Sequence, residues 1–409
     1  MTSPHRQILP GLEATAPPRE PAALSEHLLE EILLRIASAA DLARASATCR
    51  SFRRIITDPS FHRRYRSLYP PLLLSILCDG SRFQASSSSV QPAAAPHPNA
   101  PAARSLANDP GFSFDCLPVP VKCWVRCDVC DGRVLLERFL EHGDDSVFFA
   151  ELAVCDPVYR LFRLLPPIPE DLVTYVQVQD NSTRYCEAFL VPSGHQEETS
   201  FKVIGRSHCK DKLVVFIFSS ESNLWSMGTS NSWADLGLST PPNFSMGCPQ
   251  YKHGCFYWKL RYRNKSLKLN ISRMEFSTVN LPPSNYEQEV VIAEAGEGML
   301  GMFILTMNNA ACLRYFTSMK SKGEEANEWL LENTIPFPCN CNIIGALEGY
   351  IFLLGDEKAQ ARMVTVCFSL QIKTLKIERI NSINYHYFQV HPYFGYPSFI
   401  STSISEFIE

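Results

Sequence analysis

The order of apolar and polar residues divides the chain into two parts with different periods. Between Leu24 and Arg66, apolar residues recur at intervals of three and four, which is the period of amphipathic helices. From about residue 112 onward, short apolar runs of strand length are separated by Gly, Pro, Asn, Asp or Ser. The pattern therefore predicts an α+β multidomain chain, with a small N-terminal three-helix region followed by a mostly-β domain.

Capping residues predict where the three helices begin. Ser25 can cap the first helix, Asp41 can cap the second, and Asp58-Pro59 starts the third with proline at the first helical position. The first helix is apolar over more than one stripe, which indicates that two partners cover it. So short a helical stretch buries too little apolar surface to be stable alone.

The same stretch resembles the F-box family, whose pattern is an apolar first helix, then Leu-x-Arg, then Cys-Arg before an aromatic residue. The matching positions are Leu24, Leu28, Leu29, Glu31, Ile32, Leu33, Arg35, Ile36, Leu42, Arg44, Cys49, Arg50, Phe52, Arg53, Ile55 and Ile56. Ser25, His27, Ala37 and Phe52 replace the family's proline, aspartate, later proline and tryptophan. An unrelated three-helix cap is the alternative, but it would not need Cys49-Arg50 before an aromatic residue.

The resemblance implies that the helices dock on the Skp adaptor and, through it, on a cullin. The residues implied in adaptor binding are Leu24, Leu28, Leu29, Ile32, Leu33, Ile36, Leu42, Cys49, Arg50 and Phe52. The stretch from Leu24 to Arg66 carries eight arginines against five acidic residues, a net charge of +3, which suits the acidic adaptor of the family.

A composite unit recurs in the β region: a turn ending in Gly, an apolar strand, a second strand, and a strand ending near Leu-Pro-Pro. Its fullest copies begin at Asp131-Gly132 and His253-Gly254, and further starts lie at Asp211-Lys212, Gly298 and Gly349. The spacing gives about 40 to 51 residues per unit, the size of a four-stranded propeller blade. About 24 candidate strands then predict about six blades. The unit also looks like the repeat-bearing C-terminal domain of plant F-box proteins; a β-sandwich or two small barrels is the alternative.

These patterns predict the domain limits. Residues 1–22 are expected to be a disordered arm, 23–68 the helical domain, 69–400 the β-propeller-like domain and 401–409 a tail. Residues 85–104 are rich in Ser, Ala and Pro and are expected to form a mobile loop. Leu72–Cys78 and Cys123–Val129 read as strands without a blade of their own, so an early strand is expected to pair with the terminal blade and close the ring.

Composition narrows the partners. With 45% hydrophobic residues, 20% charged residues and a net charge of −4, the 409-residue chain has no overall field that favours nucleic acid or an anionic membrane. No apolar run reaches the length of a signal peptide or a membrane span. The fifteen cysteines are therefore interpreted as reduced thiols in the cytoplasm or nucleus.

Cysteine and glycine spacings raise two cofactor hypotheses, and their context opposes both. Cys123-x3-Cys127-x2-Cys130 has the spacing of an iron–sulfur site in radical enzymes, but it lies in a strand-like run, and Cys339-x-Cys341 is a poor partner for a zinc site. Gly296-x-Gly298-x-x-Gly301 resembles a dinucleotide fingerprint, but the following residues favour a strand, not the required helix. No metal or cofactor is predicted.

Catalytic constellations are not found in the sequence. His195, His208, His253 and His386 are isolated, and the pairs Asp144-Asp145 and Glu324-Glu325 fall in predicted turns. The chain is therefore predicted to be a non-enzymatic adaptor of a Skp–cullin–F-box ubiquitin ligase, binding an unknown protein substrate through its β-domain. The alternatives are an F-box protein whose β-domain binds a glycan or small ligand, and a β-propeller hydrolase with convergent carboxylates or histidines in its channel.

Overall fold

The structure, a computed structural model, describes most of the helical and β regions. The described residues are 24–80, 89–107, 112, 114, 116–118, 124–138, 151–158, 160–176, 185–192, 200–238, 249–260, 263–282, 288–295, 299–307, 311–318, 329–359, 362–383 and 387–395. The predicted N-terminal arm and C-terminal tail lie outside them. Within these ranges, no helix is both long enough and apolar enough to cross a membrane.

The helical region contains four helices where the sequence predicted three. They are α1 (Glu26–Leu34), α2 (Ala39–Thr48), α3 (Arg50–Ile56) and α4 (Pro59–Leu68); the short α5 (Ala100–Ala107) and α6 (Glu170–Val173) come later. The extra break is at Cys49, whose backbone is extended and whose Sγ accepts a hydrogen bond from the Phe52 N–H, 3.4 Å away. Cys49 therefore caps a helix of its own.

The predicted helix caps are correct at two of three positions. The Ser25 hydroxyl accepts the N–H of Leu28, and the Asp58 carboxylate accepts the N–H of Ser60. The second helix, however, is capped by Ser38, whose hydroxyl accepts the N–H of Asp41. Asp41 could not act as the cap because it already lies inside the helix.

The four helices share one small core. Its buried residues are Leu33, Leu34, Leu42, Ile55, Ile56, Phe61 and Tyr65. Leu33 and Leu42, which the sequence assigned to the adaptor surface, therefore belong to this core. Helical spacing placed them correctly on an apolar stripe but could not tell which stripe faces inward.

In the described residues, twenty-three strands form six antiparallel sheets arranged as a propeller. Blade 1 contains β3 (Trp124–Cys130), β4 (Arg133–Arg138), β5 (Leu152–Asp156) and β6 (Leu161–Leu164); blade 2 contains β7 (Tyr185–Val191), β8 (Lys202–His208), β9 (Lys212–Ser219) and β10 (Leu224–Ser232); blade 3 contains β11 (Gln250–Lys252), β12 (Cys255–Lys259), β13 (Lys265–Asn270) and β14 (Glu275–Asn280). Blade 4 contains β15 (Val290–Glu294), β16 (Leu300–Met307), β17 (Ala311–Ser318) and β18 (Trp329–Pro336); blade 5 contains β19 (Cys341–Leu347), β20 (Tyr350–Ala359), β21 (Arg362–Gln371) and β22 (Lys376–Ile383). The closing sheet has the order β2 (Ser89–Pro92), β1 (Leu72–Gly80), β23 (Tyr387–Gly395). The prediction of a six-bladed propeller is confirmed.

Apolar clusters fill the spaces between neighbouring sheets all the way around the ring. Between blades 2 and 3, for example, Phe189 lies 6.2 Å from Trp258 between ring centroids, and Phe352 of blade 5 lies 5.8 Å from Phe394 of the closing sheet. Each of the six junctions has its own cluster. Both faces of every sheet are therefore covered. Strands that carry apolar residues on both faces need this cover.

The closing sheet joins the two ends of the β region. β1 pairs with β23 in antiparallel register, from Leu72 opposite Gly395 to Gly80 opposite Tyr387. The predicted pairing of an early strand with the terminal one is therefore confirmed for Leu72–Cys78. The expectation that Cys123–Val129 has no blade of its own was wrong for its described part, because Trp124–Val129 lies in β3, which pairs with β4 and is the first strand of blade 1.

The expected mobile loop over residues 85–104 is wrong for its described part. β2 pairs with β1, and the Ala94 N–H donates to the Ile380 carbonyl at 2.9 Å. Ala103 of α5 is 0% exposed and packs in the cluster between blade 5 and the closing sheet. Alanine carries little apolar surface, so the composition of this segment gave no sign that it packs. In the structure, the small size of alanine lets α5 approach the sheet.

We predict that the terminal strand holds the whole ring. Val390, Tyr393 and Phe394 of β23 are buried, and burying such side chains stabilises a fold by about 1.5–3 kcal/mol each. Their combined loss is comparable with a typical net stability of about 5–15 kcal/mol. Truncation at residue 385 should therefore make all blades sensitive to limited proteolysis, while removal of residues 401–409 alone should not. A truncated chain as resistant as the full one would show that closure does not depend on β23.

We also predict that α5 is a packed element. Ala103→Leu should destabilise the protein by about 1–3 kcal/mol because a fully buried site has no room for three more carbons. Ala47→Leu, at an exposed position of α2, is the matched control and should change stability by less than about 0.5 kcal/mol. Denaturant unfolding measures both, and equal stabilities would mean that α5 does not pack as described.

Candidate functional site: an exposed helical ridge and a channel-mouth cavity

Three apolar side chains form an exposed ridge at the first helix. Leu28 and Ile32 lie about one turn apart on one face of α1, and Leu24 lies just before the N-cap, Ser25. Leu24, Leu28 and Ile32 are 54%, 50% and 50% exposed. Large apolar residues are seldom grouped on a free surface unless they bind something. The exposed ridge is therefore a candidate docking surface.

Ion pairs hold α1 against the other helices. Arg54 of α3 pairs with Glu26, and Arg64 of α4 pairs with Glu30 at 2.6 Å and with Glu31. The hydrogen bond from Arg64 lowers the pKa of the Glu31 carboxyl below its ordinary value. These surface pairs add little stability individually, but they occupy three of the five acidic groups of the region.

The net positive charge of the helical region therefore lies on its exposed surface. Asp41 pairs with Arg44 at 2.5 Å and Asp58 caps α4, so all five acids have partners within the region. Arg35, Arg50, Arg53 and Arg63 are solvent-exposed. An exposed apolar ridge accompanied by exposed arginines is complementary to an apolar groove in an acidic protein.

The structure divides the ten sequence-predicted adaptor residues into three groups. Leu24, Leu28 and Ile32 form the exposed ridge, and Cys49 and Arg50 are exposed where α3 begins. The other five face inward: Leu33 and Leu42 are in the core, and Leu29, Ile36 and Phe52 pack partly against it.

The helical region is joined tightly to the propeller. α4 ends at Leu68 and β1 begins at Leu72, and the Tyr69 hydroxyl between them donates to the Leu34 carbonyl at 2.9 Å. Leu72 packs against both the helical core and the cluster between the closing sheet and blade 1. The candidate docking surface is therefore held close to the ring.

A cavity of about 550 Å³ lies at one mouth of the propeller channel. The innermost strand of each sheet ends at this face, so the turns after β3, β11 and β19 contribute to its wall. Helix α4 contributes Arg63, Arg66 and Ser67 to the rim. The cavity thus lies where the helical region meets the ring. The sequence did not single out this place, because its walls come from eight separate segments.

Charges of both signs line this channel-mouth cavity. The basic residues are Arg63, Arg66, Arg133, Lys252 and His253, and the acidic residues are Asp128, Asp131, Asp156, Glu294 and Glu348. Burial lowers the pKa of Lys252, and Glu348 and Glu294 oppose that shift. Balanced charge makes the cavity a poor site for a polyanion such as nucleic acid.

Asp128, a buried carboxyl of the cavity, links two blades. Its Oδ2 accepts the N–H of Leu190 in blade 2 at 2.9 Å, and its Oδ1 accepts the N–H of Val129 at 2.9 Å. Burial raises its pKa to about 6, although the two N–H donors oppose the shift. Gln250 and Glu289 accept the N–H groups of Ile292 and Ile343 in the same way. Inner-strand acceptors that reach the next blade therefore hold the ring together at its centre.

The described parts of the cysteine and glycine motifs lie in strands, as the sequence predicted. Cys127 and Cys130 lie in β3, and the residues after Gly301 continue β16, which pairs with β15 as a hairpin. His208 is buried beside Arg206, and burial lowers its pKa to about 3, so it is neutral at physiological pH. Cys123, His195, His386, Asp144, Asp145, Glu324, Glu325 and Gly296–Gly298 lie outside the described residues.

A four-helix region joined to the closing sheet of a six-bladed propeller defines the class of protein. A family profile described as F-box-like matches residues 26–67, and one described as F-box protein AT5G49610-like, beta-propeller matches residues 126–393. The second match covers well over half of the 409 residues. The chain belongs to this family of plant-type F-box proteins with a β-propeller domain.

Solved structures resemble the chain only distantly. Hydrazine synthase of Kuenenia stuttgartiensis is 10% identical with a TM-score of 0.35, and the match covers 63% of this chain and 66% of that one. A post-proline cleaving enzyme of Rickettsia typhi is 11% identical with a TM-score of 0.35, covering 62% and 39%. A chain of a nidogen/laminin complex is 6% identical with a TM-score of 0.36, covering 78% and 97%. The chain thus spans less than two thirds of the first two, and no curated protein matches it.

We predict that Asp128 gives the protein a measurable pH dependence. Its pKa rises from an ordinary 3.8 to about 6 in the folded protein. The folded state therefore binds the proton more tightly, and stability falls as the pH rises from about 4 to above 6, by an amount on the order of 1–3 kcal/mol.

Asp128→Asn should remove this part of the slope, since an amide does not titrate. Denaturant unfolding between pH 4 and pH 7 measures it, with Asp41→Asn, an exposed carboxylate, as the matched control. Only the slope of the free energy of unfolding against pH is compared, because asparagine also lacks one of the two acceptor oxygens of Asp128. If Asp128→Asn and the wild type have the same slope, Asp128 is not the group that titrates.

Proposed function

We propose that this F-box protein is a non-enzymatic substrate adaptor of a Skp–cullin–F-box ubiquitin ligase. The helical region binds the Skp adaptor, which connects it to a cullin, and the propeller binds a protein that is to be ubiquitinated. The observation that carries the proposal is the exposed ridge of Leu24, Leu28 and Ile32 on a helix that its own ion pairs hold in place.

The propeller suits the substrate-binding role for a mechanical reason. Its inner strands run in one direction, so the turns after them lie on the face that carries the helical region. The inner strands begin at the opposite face, where the described connection 337–340 between blades 4 and 5 lies. Loops on a rigid scaffold can vary without affecting the fold. We assign substrate binding to that opposite face, because α4 already contributes to the near one.

The channel-mouth cavity supports a second candidate function, the binding of a small ligand. Its volume falls within the usual range of ligand pockets, about 300–1,000 Å³. Tyr251, Phe256, Tyr393 and Phe394 are among its lining residues. Such a ligand would contact both the helical region and the ring.

The convergent carboxylates that a hydrolase requires are present in the cavity, but two of them serve the fold. Both oxygens of Asp128 accept backbone N–H groups, and Asp156 accepts the N–H of Val158 at 3.0 Å. A catalytic acid must give its proton to substrate, and a carboxylate fixed between blades is poorly placed to do so. We therefore favour a binding role over hydrolysis.

We place the protein in the cytoplasm or nucleus. The thirteen cysteines that the structure describes form no disulfide bond with one another, and seven of them are buried. Thiols in this number without disulfide bonds are typical of reducing compartments, where cullin-based ligases would also be found.

The test of the proposal is adaptor binding by Leu28→Ala/Ile32→Ala. Both side chains are half exposed, so the change should leave the fold intact while it removes apolar surface from the interface. We expect a loss on the order of 2–3 kcal/mol, or about 30- to 150-fold in Kd, for a purified Skp-family adaptor. Isothermal titration calorimetry on the full chain gives the Kd.

Two controls make the result interpretable. Leu224→Ala changes a leucine that is 65% exposed on the outer strand of blade 2, and it should bind the adaptor like the wild type. Thermal unfolding of each variant shows that the fold is retained. Unchanged adaptor affinity in the Leu28/Ile32 variant would refute the docking role of the ridge.

A further inference from the structure

Two thiols lie in contact at the junction between the closing sheet and blade 1. The Sγ atoms of Cys116 and Cys155 are 3.8 Å apart. Cys116 belongs to the described residues 116–118, after α5, and Cys155 lies in β5. A disulfide bond needs about 2.05 Å between the sulfurs, so a small side-chain movement separates contact from bonding.

The two thiols differ in access. Cys155 is completely buried, whereas Cys116 is only half buried at the edge of the same apolar cluster. A small oxidant from solvent therefore meets Cys116 first.

Their surroundings give the two thiols different reactivity. The hydrogen bond with Cys116, and then burial, raise the pKa of the Cys155 thiol well above its ordinary value, so Cys155 keeps its proton. A thiolate is the nucleophile in thiol oxidation, and Cys116 is the thiol of the pair that solvent reaches.

We propose that Cys116 and Cys155 form a reversible disulfide in response to peroxide. The Cys116 thiolate attacks one oxygen of hydrogen peroxide, the O–O bond breaks, and protonation of the leaving hydroxide gives water and a sulfenic acid. The Cys155 sulfur then attacks the Cys116 sulfur, and its proton leaves with the hydroxyl as a second water. In sum, two thiols and one peroxide give one disulfide and two waters, with two electrons passing to the peroxide.

The bond would reinforce the place where the ring closes. Tyr393 of β23 belongs to the same cluster as Cys155, and its ring lies 5.4 Å from that of Phe112, four residues before Cys116. A disulfide would tie this segment to the third strand of blade 1 and enclose β3 and β4 in a covalent loop. Closing such a loop restricts the unfolded chain and stabilises the folded one.

The sequence makes the bond easy to map. Trypsin cleaves after Arg104, Lys122, Arg138 and Arg160, which releases the peptides 105–122 and 139–160. Each of them contains a single cysteine, Cys116 and Cys155 respectively. The two peptides should appear joined, two hydrogens lighter than their sum, after peroxide treatment of the reduced full-length protein and alkylation of the remaining thiols.

Thermal unfolding provides an independent readout. Oxidised wild-type protein should unfold at a temperature about 2–5 °C higher than the reduced protein, and dithiothreitol should reverse the rise. Cys116→Ser should lose both the joined peptide and the rise. Cys312→Ser, at another half-buried cysteine, should retain both.

Three results would overturn the proposal. They are a sulfinic acid at Cys116 without the joined peptide, a disulfide that links either cysteine to a different partner, and a temperature rise that persists in Cys116→Ser. Because the wild type is compared with itself in two redox states, a general loss of stability in a variant cannot imitate the expected result.

Discussion

The pairing of β1 with β23 is the interaction on which the rest of the fold depends. Five blades in a row would leave two open edges and two uncovered apolar faces, and the closing sheet covers both. It does so with one strand from each end of the β region, so the ring forms only when the whole region has been made. Apolar clusters lie on both sides of this sheet, with Tyr393 in one and Phe394 in the other. Side-chain burial therefore stabilises the closed ring together with the backbone hydrogen bonds.

Closure also fixes the helical region, because β1 is the continuation of α4. Only residues 69–71 lie between them, two of which are proline, and Tyr69 returns to the helices through its hydrogen bond to Leu34. Leu72 then contributes to the packing of both parts. A force or movement at the ring is therefore transmitted to α1 through packed side chains and not through a flexible linker. In the proposed adaptor role, this rigid connection would hold a bound substrate at a defined distance from the ligase.

The sequence predicted the propeller because turns and strands leave local signals. Asp131-Gly132 and His253-Gly254 are turns with positive φ at both positions, 52° and 75° in the first and 50° and 72° in the second, and such turns favour glycine. The sequence predicted the structure less well where it depends on packing between residues far apart in the chain. Nothing near Ala103 shows that α5 will pack against β1 and β2, in the cluster beside blade 5. Likewise, the apolar period of α1 could not show that Leu33 faces inward while Ile32 faces solvent, since both belong to apolar stripes.

A second repeating turn shows why the blades share so little sequence. The turns between the third and fourth strands contain one residue with φ near 55° in four blades: Arg160, Asn223, Met274 and Leu375. Asparagine tolerates this conformation, but leucine, methionine and arginine adopt it at a cost in backbone strain. The backbone therefore repeats where the residue type does not. A fold whose blades are stabilised by burial between neighbours can tolerate that local strain, and each blade is free to change its residues as long as its backbone turns and its apolar faces are preserved.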